Sequence, residues 1–140
     1  MIARIYLPDT NLISQFLLGR DVRLCERVEK YAEQLYLSAI VWSELRYGVE
    51  KSGNLPRLVI RLAKLREKFP EVEAFDEHAA WWAANVRAYL ANLKPNAQPI
   101  GYADCLLAGH ALALGATIIT HNTREFSRVP HLEVEDWQLA

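Results

Sequence analysis

Residues 6–11 read Tyr6-Leu7-Pro8-Asp9-Thr10-Asn11, between the stretches Ile2-Ala3-Arg4-Ile5 and Leu12-Ile13-Ser14-Gln15-Phe16-Leu17. A strand-like run thus ends abruptly on a carboxylate, and an apolar pattern of a different period begins two residues later. Asp is unfavourable within strands and favourable at a helix start, so one reading makes Asp9 an N-cap. A second reading places Asp9 at the carboxyl end of a parallel strand, where α/β sheets gather their ligands. Asp9 alone does not separate the two. The remaining chain must supply partners for it.

Working outward, periods of two and 3.6 alternate along the chain. Strands are predicted at residues 3–7, 35–39, 72–75 and 117–120, with an edge strand in "LEVEDW" (132–137). Helices are predicted over Thr10–Leu18, Val22–Gln34, Ile40–Lys51, Leu55–Phe69, from Asp76 to about Asn92, and over Gly101–Leu114, with a helical turn after Asn122. Ser38 and Asp76 read as helix caps, and Gly53, Pro70 and Gly115 as stops. "KPNAQP" (94–99) is the one strong loop signal. Short strands alternating with helices define an α/β fold with a central, mostly parallel sheet flanked by helices.

The chain has 140 residues, 51% hydrophobic and 24% charged, with a net charge of −1. That predicts a single domain over residues 1–140, large enough to bury about two-thirds of its unfolded surface. The sequence shows no signal-peptide pattern and no apolar run near the ~20 residues that cross a bilayer. Cys25 and Cys105 fall among apolar helical positions and do not form a disulfide framework, so a reducing cytoplasm is expected. The slight negative charge leaves nucleic-acid binding open, because an acidic site can carry its basic surface locally.

Three further acids are candidates to join Asp9. Glu44, in "SAIVWSELRYGV", lies three and four positions from Val41 and Ile40, and so borders the apolar stripe of its helix. Asp104, in "PIGYADCLLAGHALALGA", shares a helix face with Leu107, Ala108 and Ala111. Favourable interaction with the helix dipole explains why an Asp is tolerated there, but not why its neighbours are so apolar. Glu125 follows the fourth strand, and Asn122 to Glu125 has the spacing of a capping box, which gives Glu125 a structural alternative. Thr120 and Asn122, at the strand end, can offer a hydroxyl and an amide oxygen to the same place.

Carboxylates that converge need a counter-charge. A hard divalent cation, Mg2+ or Mn2+, suits all-oxygen ligands and retains waters for phosphate substrates. Zinc fits poorly, since His78, His110, His121 and His131 show no ligand spacing and the cysteines are far apart. No glycine-rich phosphate loop and no Gly-x-Ser-x-Gly elbow is present.

Four segments, "DTN" (9–11), "SELRYGV" (43–49), "PIGYADCLLAGHALALGA" (99–116) and "ITHNTREFSRVPHLEVEDW" (119–137), together resemble PIN-domain ribonucleases, specifically the VapC-type toxins of bacterial and archaeal toxin–antitoxin pairs. The resemblance spans essentially the whole chain. It implies that Asp9, Glu44 and Asp104 form an acidic metal-binding triad, with Thr10 and Asn11 buttressing Asp9. Asn122 stands where some members carry Asp, and Glu125 precedes Phe126 as an acid does in others. His121 stands where close relatives often have Asn. The implied activity is Mg2+- or Mn2+-dependent hydrolysis of structured RNA, leaving a 5′-phosphate and a 3′-hydroxyl. The closest-looking members cut initiator tRNA in the anticodon loop. A cognate antitoxin and a homodimer are the implied protein partners.

RNA also requires cations on the protein. Arg57, Arg61, Lys64 and Lys68 make one stripe of one helix, which reads either as a solvated face or as a phosphate rim. Arg46 and Arg124 lie nearer the acids in sequence and are the expected substrate contacts. Trp42, Trp81 and Trp82 read as core or subunit-interface aromatics. Two alternatives stay open: a catalytically silent PIN-like module that binds RNA or protein, and a broader DNA/RNA phosphodiesterase.

Overall fold

The computed structural model describes residues 3–96 and 100–138. In chain order these form β1 (Tyr6–Pro8), α1 (Thr10–Leu18), α2 (Val22–Lys30), a 3-10 turn (Ala32–Gln34), β2 (Leu37–Ser38), α3 (Ala39–Lys51) and α4 (Pro56–Lys68). Then follow β3 (Val72–Glu73), α5 (Glu77–Ala91), α6 (Tyr102–Leu114), β4 (Thr117–Ile119), α7 (Thr123–Phe126) and β5 (Val134–Glu135).

Every strand pair is parallel. β1 pairs with β4 (Leu7 opposite Ile118), β4 with β5 (Ile118 opposite Val134), and β2 with β3 (Leu37 opposite Val72). A single parallel bridge between Tyr6 and Leu35 joins the two groups, supported by the Tyr36 amide donating to the Tyr6 carbonyl at 2.9 Å. The spatial order is therefore β3-β2-β1-β4-β5. Leu7, Leu37, Ile118 and Ile119 are fully buried, as expected where helices cover both faces of a parallel sheet. With all strands running one way, their carboxyl ends share one edge. Ser38, Asp9, Thr120 and Asp136 stand at or just beyond the ends of β2, β1, β4 and β5 on that edge.

The strands are shorter than their sequence patterns suggest. Behind β1, β2 and β3, a side chain at or shortly after the strand end caps the following helix. Asp9, Ser38 and Asp76 accept from Leu12, Ile40 and Ala79 amides. The predicted helix over 22–34 breaks at Tyr31. The Tyr31 ring lies 5.4 Å from Tyr6 and 5.3 Å from Trp137, in an aromatic cluster beneath β1. Of the predicted 94–99 loop, residues 97–99 lie outside the described residues.

The helix pair α5–α6 closes one side of the sheet, and its separation is set by Gly109. A Cβ built there would stand 2.4 Å from the Cα and backbone nitrogen of Ala83, closer than any real contact. Gly109→Ala is expected to force the helices apart and cost about 1–3 kcal/mol, as overpacked cores do. The measurement is urea unfolding, and an unchanged midpoint would show that the helices can separate freely. Nearly two turns beyond Asp104 on α6, His110 is 1% exposed. Its Nδ1 shares a 2.8 Å hydrogen bond with the Ser38 hydroxyl, which ties α6 to the start of α3. Among the described residues its Nε2 has no hydrogen-bond partner. Burial pushes this imidazole below its ordinary pKa, against a smaller opposing effect of the Ala74 carbonyl and Asp76.

Candidate active site

Asp9 is 6% exposed, at the seam between β1 and β4. Its amide donates to the Ile119 carbonyl at 3.0 Å and so extends the ladder by one rung. One carboxylate oxygen caps α1 by accepting from the Leu12 amide at 2.8 Å. The other accepts from the Thr120 hydroxyl at 2.5 Å. The two readings of the opening stretch are therefore both true of one residue. Burial raises the Asp9 carboxyl above its ordinary pKa. The two hydrogen bonds oppose the shift, and the charges of Glu44 and Asp136 add to it.

Glu44 projects from the second turn of α3 and accepts from the Thr10 hydroxyl at 2.7 Å. Thr10 thus buttresses Glu44, not Asp9 as expected. Asp9 is already held by Thr120 and the Leu12 amide, whereas Thr10, as the first residue of α1, is free to bond α3. Asn11, also expected to support Asp9, is exposed.

Asp104 sits in the first turn of α6 and is partly buried. Its pKa rises from 3.8 to about 6, chiefly through burial, and then through the charges of Asp9, Glu44 and Glu125. Four carboxylates from four different segments therefore act on one another at the sheet's carboxyl edge. Among the described residues, no three of them are already drawn around a common point.

The capping box expected for Asn122 and Glu125 does not form. Asn122 makes no side-chain capping bond. Its amide, which Glu125 would have accepted from, donates instead to the Thr120 hydroxyl at 2.8 Å. Thr120 hence serves two neighbours, donating to Asp9 and accepting from Asn122. Glu125 is half-buried on α7, released from the capping role, and its charge reaches Asp104.

The cations are distributed differently from the sequence expectation. Arg46 pairs with Glu50 along α3. Two positions from Glu44 on a helix, it is turned away from the acid. Arg124 is exposed on α7. From the α4 stripe, Lys68 pairs with Glu29, while Arg61 faces a groove of about 290 Å3 between α1, α3 and α4, lined by Leu17, Leu45, Val49 and Leu62 with Glu44 at its margin. Neither Asp9 nor Asp104 lines this groove, so it adjoins the acidic cluster without containing it.

Asp136 was missed by the sequence reading. Its charge reaches Asp9, and its carboxylate is bonded by His121 Nδ1 at 3.0 Å and the Gln138 amide at 2.9 Å. The signal was available: "LEVED" ends a strand on Asp in the way "YLPD" does.

The donor set is made of carboxylates with hydroxyl support, which fits a hard divalent cation and not a soft one. Comparison with known proteins identifies the family. Residues 6–132 match the PIN domain family. The chain is 33% identical over 139 residues to "Ribonuclease VapC1" of Haemophilus influenzae (strain R2866), covering 95% of this chain and 98% of that one. It is also 33% identical over 132 residues to the "tRNA(fMet)-specific endonuclease VapC" of Shigella flexneri, covering 94% and 97%. The DNA-bound VapBC crystal structure from Salmonella typhimurium superposes with a TM-score of 0.86 at 32% identity, over 96% of this chain and 99% of that one. The chain belongs to the PIN-domain family and, within it, to the VapC proteins.

Proposed function

We propose that this protein is a metal-dependent endoribonuclease toxin that hydrolyses phosphodiester bonds of structured RNA, with initiator tRNA as its substrate, and that it acts as a single domain paired with a cognate antitoxin. The observation that carries the reading is the Asp104 carboxyl, lifted to about 6 by burial and by three other acids. Such crowding is unfavourable for folding alone and marks groups selected for chemistry. The substrate and partner follow from the relatives, among them a tRNA(fMet)-specific endonuclease and a VapBC complex.

Asp9, Glu44 and Asp104 would hold Mg2+ or Mn2+, with Glu125 as the fourth acid. When bound, the cation activates water and screens charge developing on the phosphate. The protein's own groups do the positioning. Thr120 and the Leu12 amide fix both oxygens of Asp9, and Thr10 fixes Glu44. Asp104, titrating near neutrality, can hold or release a proton at its carboxyl oxygen. Arg124, exposed on α7, and Arg61, facing the groove beside α4, would meet RNA phosphates. The expected products are a 5′-phosphate and a 3′-hydroxyl.

The test is cleavage of matched RNA and DNA in the presence of Mg2+, Mn2+ or EDTA. Cleavage of RNA only with a divalent cation supports the reading. Equal cleavage of both strands would favour a broader phosphodiesterase, and none would favour a binding module. Homodimerisation is the expected oligomeric state: Trp81 is 60% exposed beside Trp82, with Tyr89 and Tyr102 also exposed, more aromatic surface than an isolated subunit usually presents. Light scattering at micromolar concentration should give twice the mass of the chain, and a monomer would count against this.

A further inference from the structure

The acids account for phosphodiester chemistry but not for a choice of sugar, because carboxylates and a cation engage phosphate alone. The structure holds a separate polar pair on the same sheet edge. β4 ends at Ile119, Thr120 bonds Asp9, and the chain then bends at His121 before entering α7. On the neighbouring strand, the Thr120 amide donates to the Glu135 carbonyl at 2.9 Å, which sets Asp136 beside His121. His121 Nδ1 lies 3.0 Å from Asp136 Oδ2. Asp136 cannot turn away, since its other oxygen accepts from the Gln138 amide and its carbonyl accepts from Arg27 Nη1 at 3.4 Å.

A fixed carboxylate on Nδ1 selects the tautomer that carries its proton there, so the other ring nitrogen becomes an acceptor. The His121 side chain is 62% exposed. Its Nε2 therefore presents a lone pair at the rim of the acidic site, one residue from the threonine that holds Asp9. A His–Asp pair with the imidazole in solvent contributes little to stability. The group that such an acceptor matches, and that DNA lacks, is the ribose 2′-hydroxyl.

We propose that His121, oriented by Asp136, accepts a hydrogen bond from a ribose 2′-hydroxyl next to the scissile phosphate and so contributes to selection of RNA over DNA. This rests on the nuclease reading above for the nature of the substrate. His121 is a substrate contact, and Asp136 is a positioning residue that acts through it.

The experiment compares single-stranded oligonucleotides of one sequence with ribose, 2′-deoxyribose or 2′-fluororibose sugars. Binding is measured by fluorescence anisotropy in Mg2+ buffer, on full-length Asp104→Asn protein with and without His121→Ala, and KM is measured on the corresponding proteins with Asp104 intact. With His121 present, the ribose strand is expected to bind about tenfold more tightly than either strand lacking the donor, the scale of one hydrogen bond. His121→Ala should bring the three affinities together, and Asp136→Ala should reduce the ratio in the same direction. Because the His121 side chain is largely exposed, the His121→Ala variant should melt as the parent does. A ribose preference that survives His121→Ala, or is absent with His121 in place, overturns the inference. Failure of the intact protein to cleave RNA would overturn the nuclease reading instead, and the affinity ratio would still decide the role of His121.

Discussion

Asp9→Asn, Glu44→Gln and Asp104→Asn are each expected to lower metal-dependent RNA cleavage by several orders of magnitude, without loss of the fold. On the proposed metal-binding role, each would remove one ligand charge, and a cation and its nucleophile fail together when one ligand is lost. The folding side of the argument has the opposite sign. Asn at position 9 can still accept from the Leu12 amide, so the α1 cap survives. Neutralising Asp104 removes a carboxylate whose ionisation is resisted by burial and by three neighbouring charges. Metal-free Asp104→Asn should therefore melt at or above the wild-type temperature. Inactivity combined with clear destabilisation would identify Asp104 as structural, and Glu44→Gln at near wild-type activity would remove Glu44 from the site.

Glu125 provides the sharper discrimination. Had the capping box formed, Glu125→Gln would have cost about 1 kcal/mol of local helix stability. With the Asn122 amide bonded to Thr120 instead, the substitution is expected to reduce cleavage while leaving the melting temperature unchanged. A matched loss of stability and activity would return Glu125 to a capping role.

What the sequence made legible was the path of the chain. The switch from period two to period 3.6 located each strand–helix junction, and the junctions fixed the edge on which Asp9 and Thr120 meet. Asp104 stood out because a carboxylate on a Leu/Ala face needs a reason. Hydrogen-bond partners were less legible, because they depend on which of several nearby donors wins. Thr10 bonds Glu44 from 34 positions away, and Thr120 intercepts the amide on which the capping box depended. Neither competition leaves a trace in local spacing. Asp136 escaped notice for a similar reason: its relation to Asp9 exists only once β5 is known to lie parallel beside β4. Arg46 was placed by closeness in sequence to Glu44, and a helix turns neighbours two apart to different sides.

The second large effect expected is a coupling of metal, protons and stability. Folding raises the Asp104 pKa from 3.8 to about 6, and Asp9 shifts in the same direction. A carboxyl raised on folding favours the native state fully below its unfolded pKa, and that contribution is lost as pH rises through about 6. At pH 7.5 the metal-free protein thus lacks roughly 1–2 kcal/mol that Asp104 would contribute at low pH, taking about 1.4 kcal/mol per unit and discounting for solvent screening of a partly exposed carboxyl. His110 runs the other way. Its pKa is lowered on folding, so its contribution is present above about 6.5 and lost as pH falls below that. The difference in melting temperature between wild type and Asp104→Asn across pH 4–8 cancels His110 and isolates the acid. That difference should be smallest near pH 4 and grow, with the variant the more stable, up to about pH 7. Mg2+ or Mn2+ should invert the pattern, because a cation binds the ionised carboxylates and releases their shared proton. At about a hundred times its dissociation constant, the cation should add about 2.7 kcal/mol at pH 7.5, or roughly 5–10 °C in a chain of this size. The gain should fade towards pH 5, and proton release should be visible as a buffer-dependent heat in calorimetry. If millimolar cation leaves melting unchanged at pH 7.5 and no proton is released near pH 6, the four acids do not share a metal.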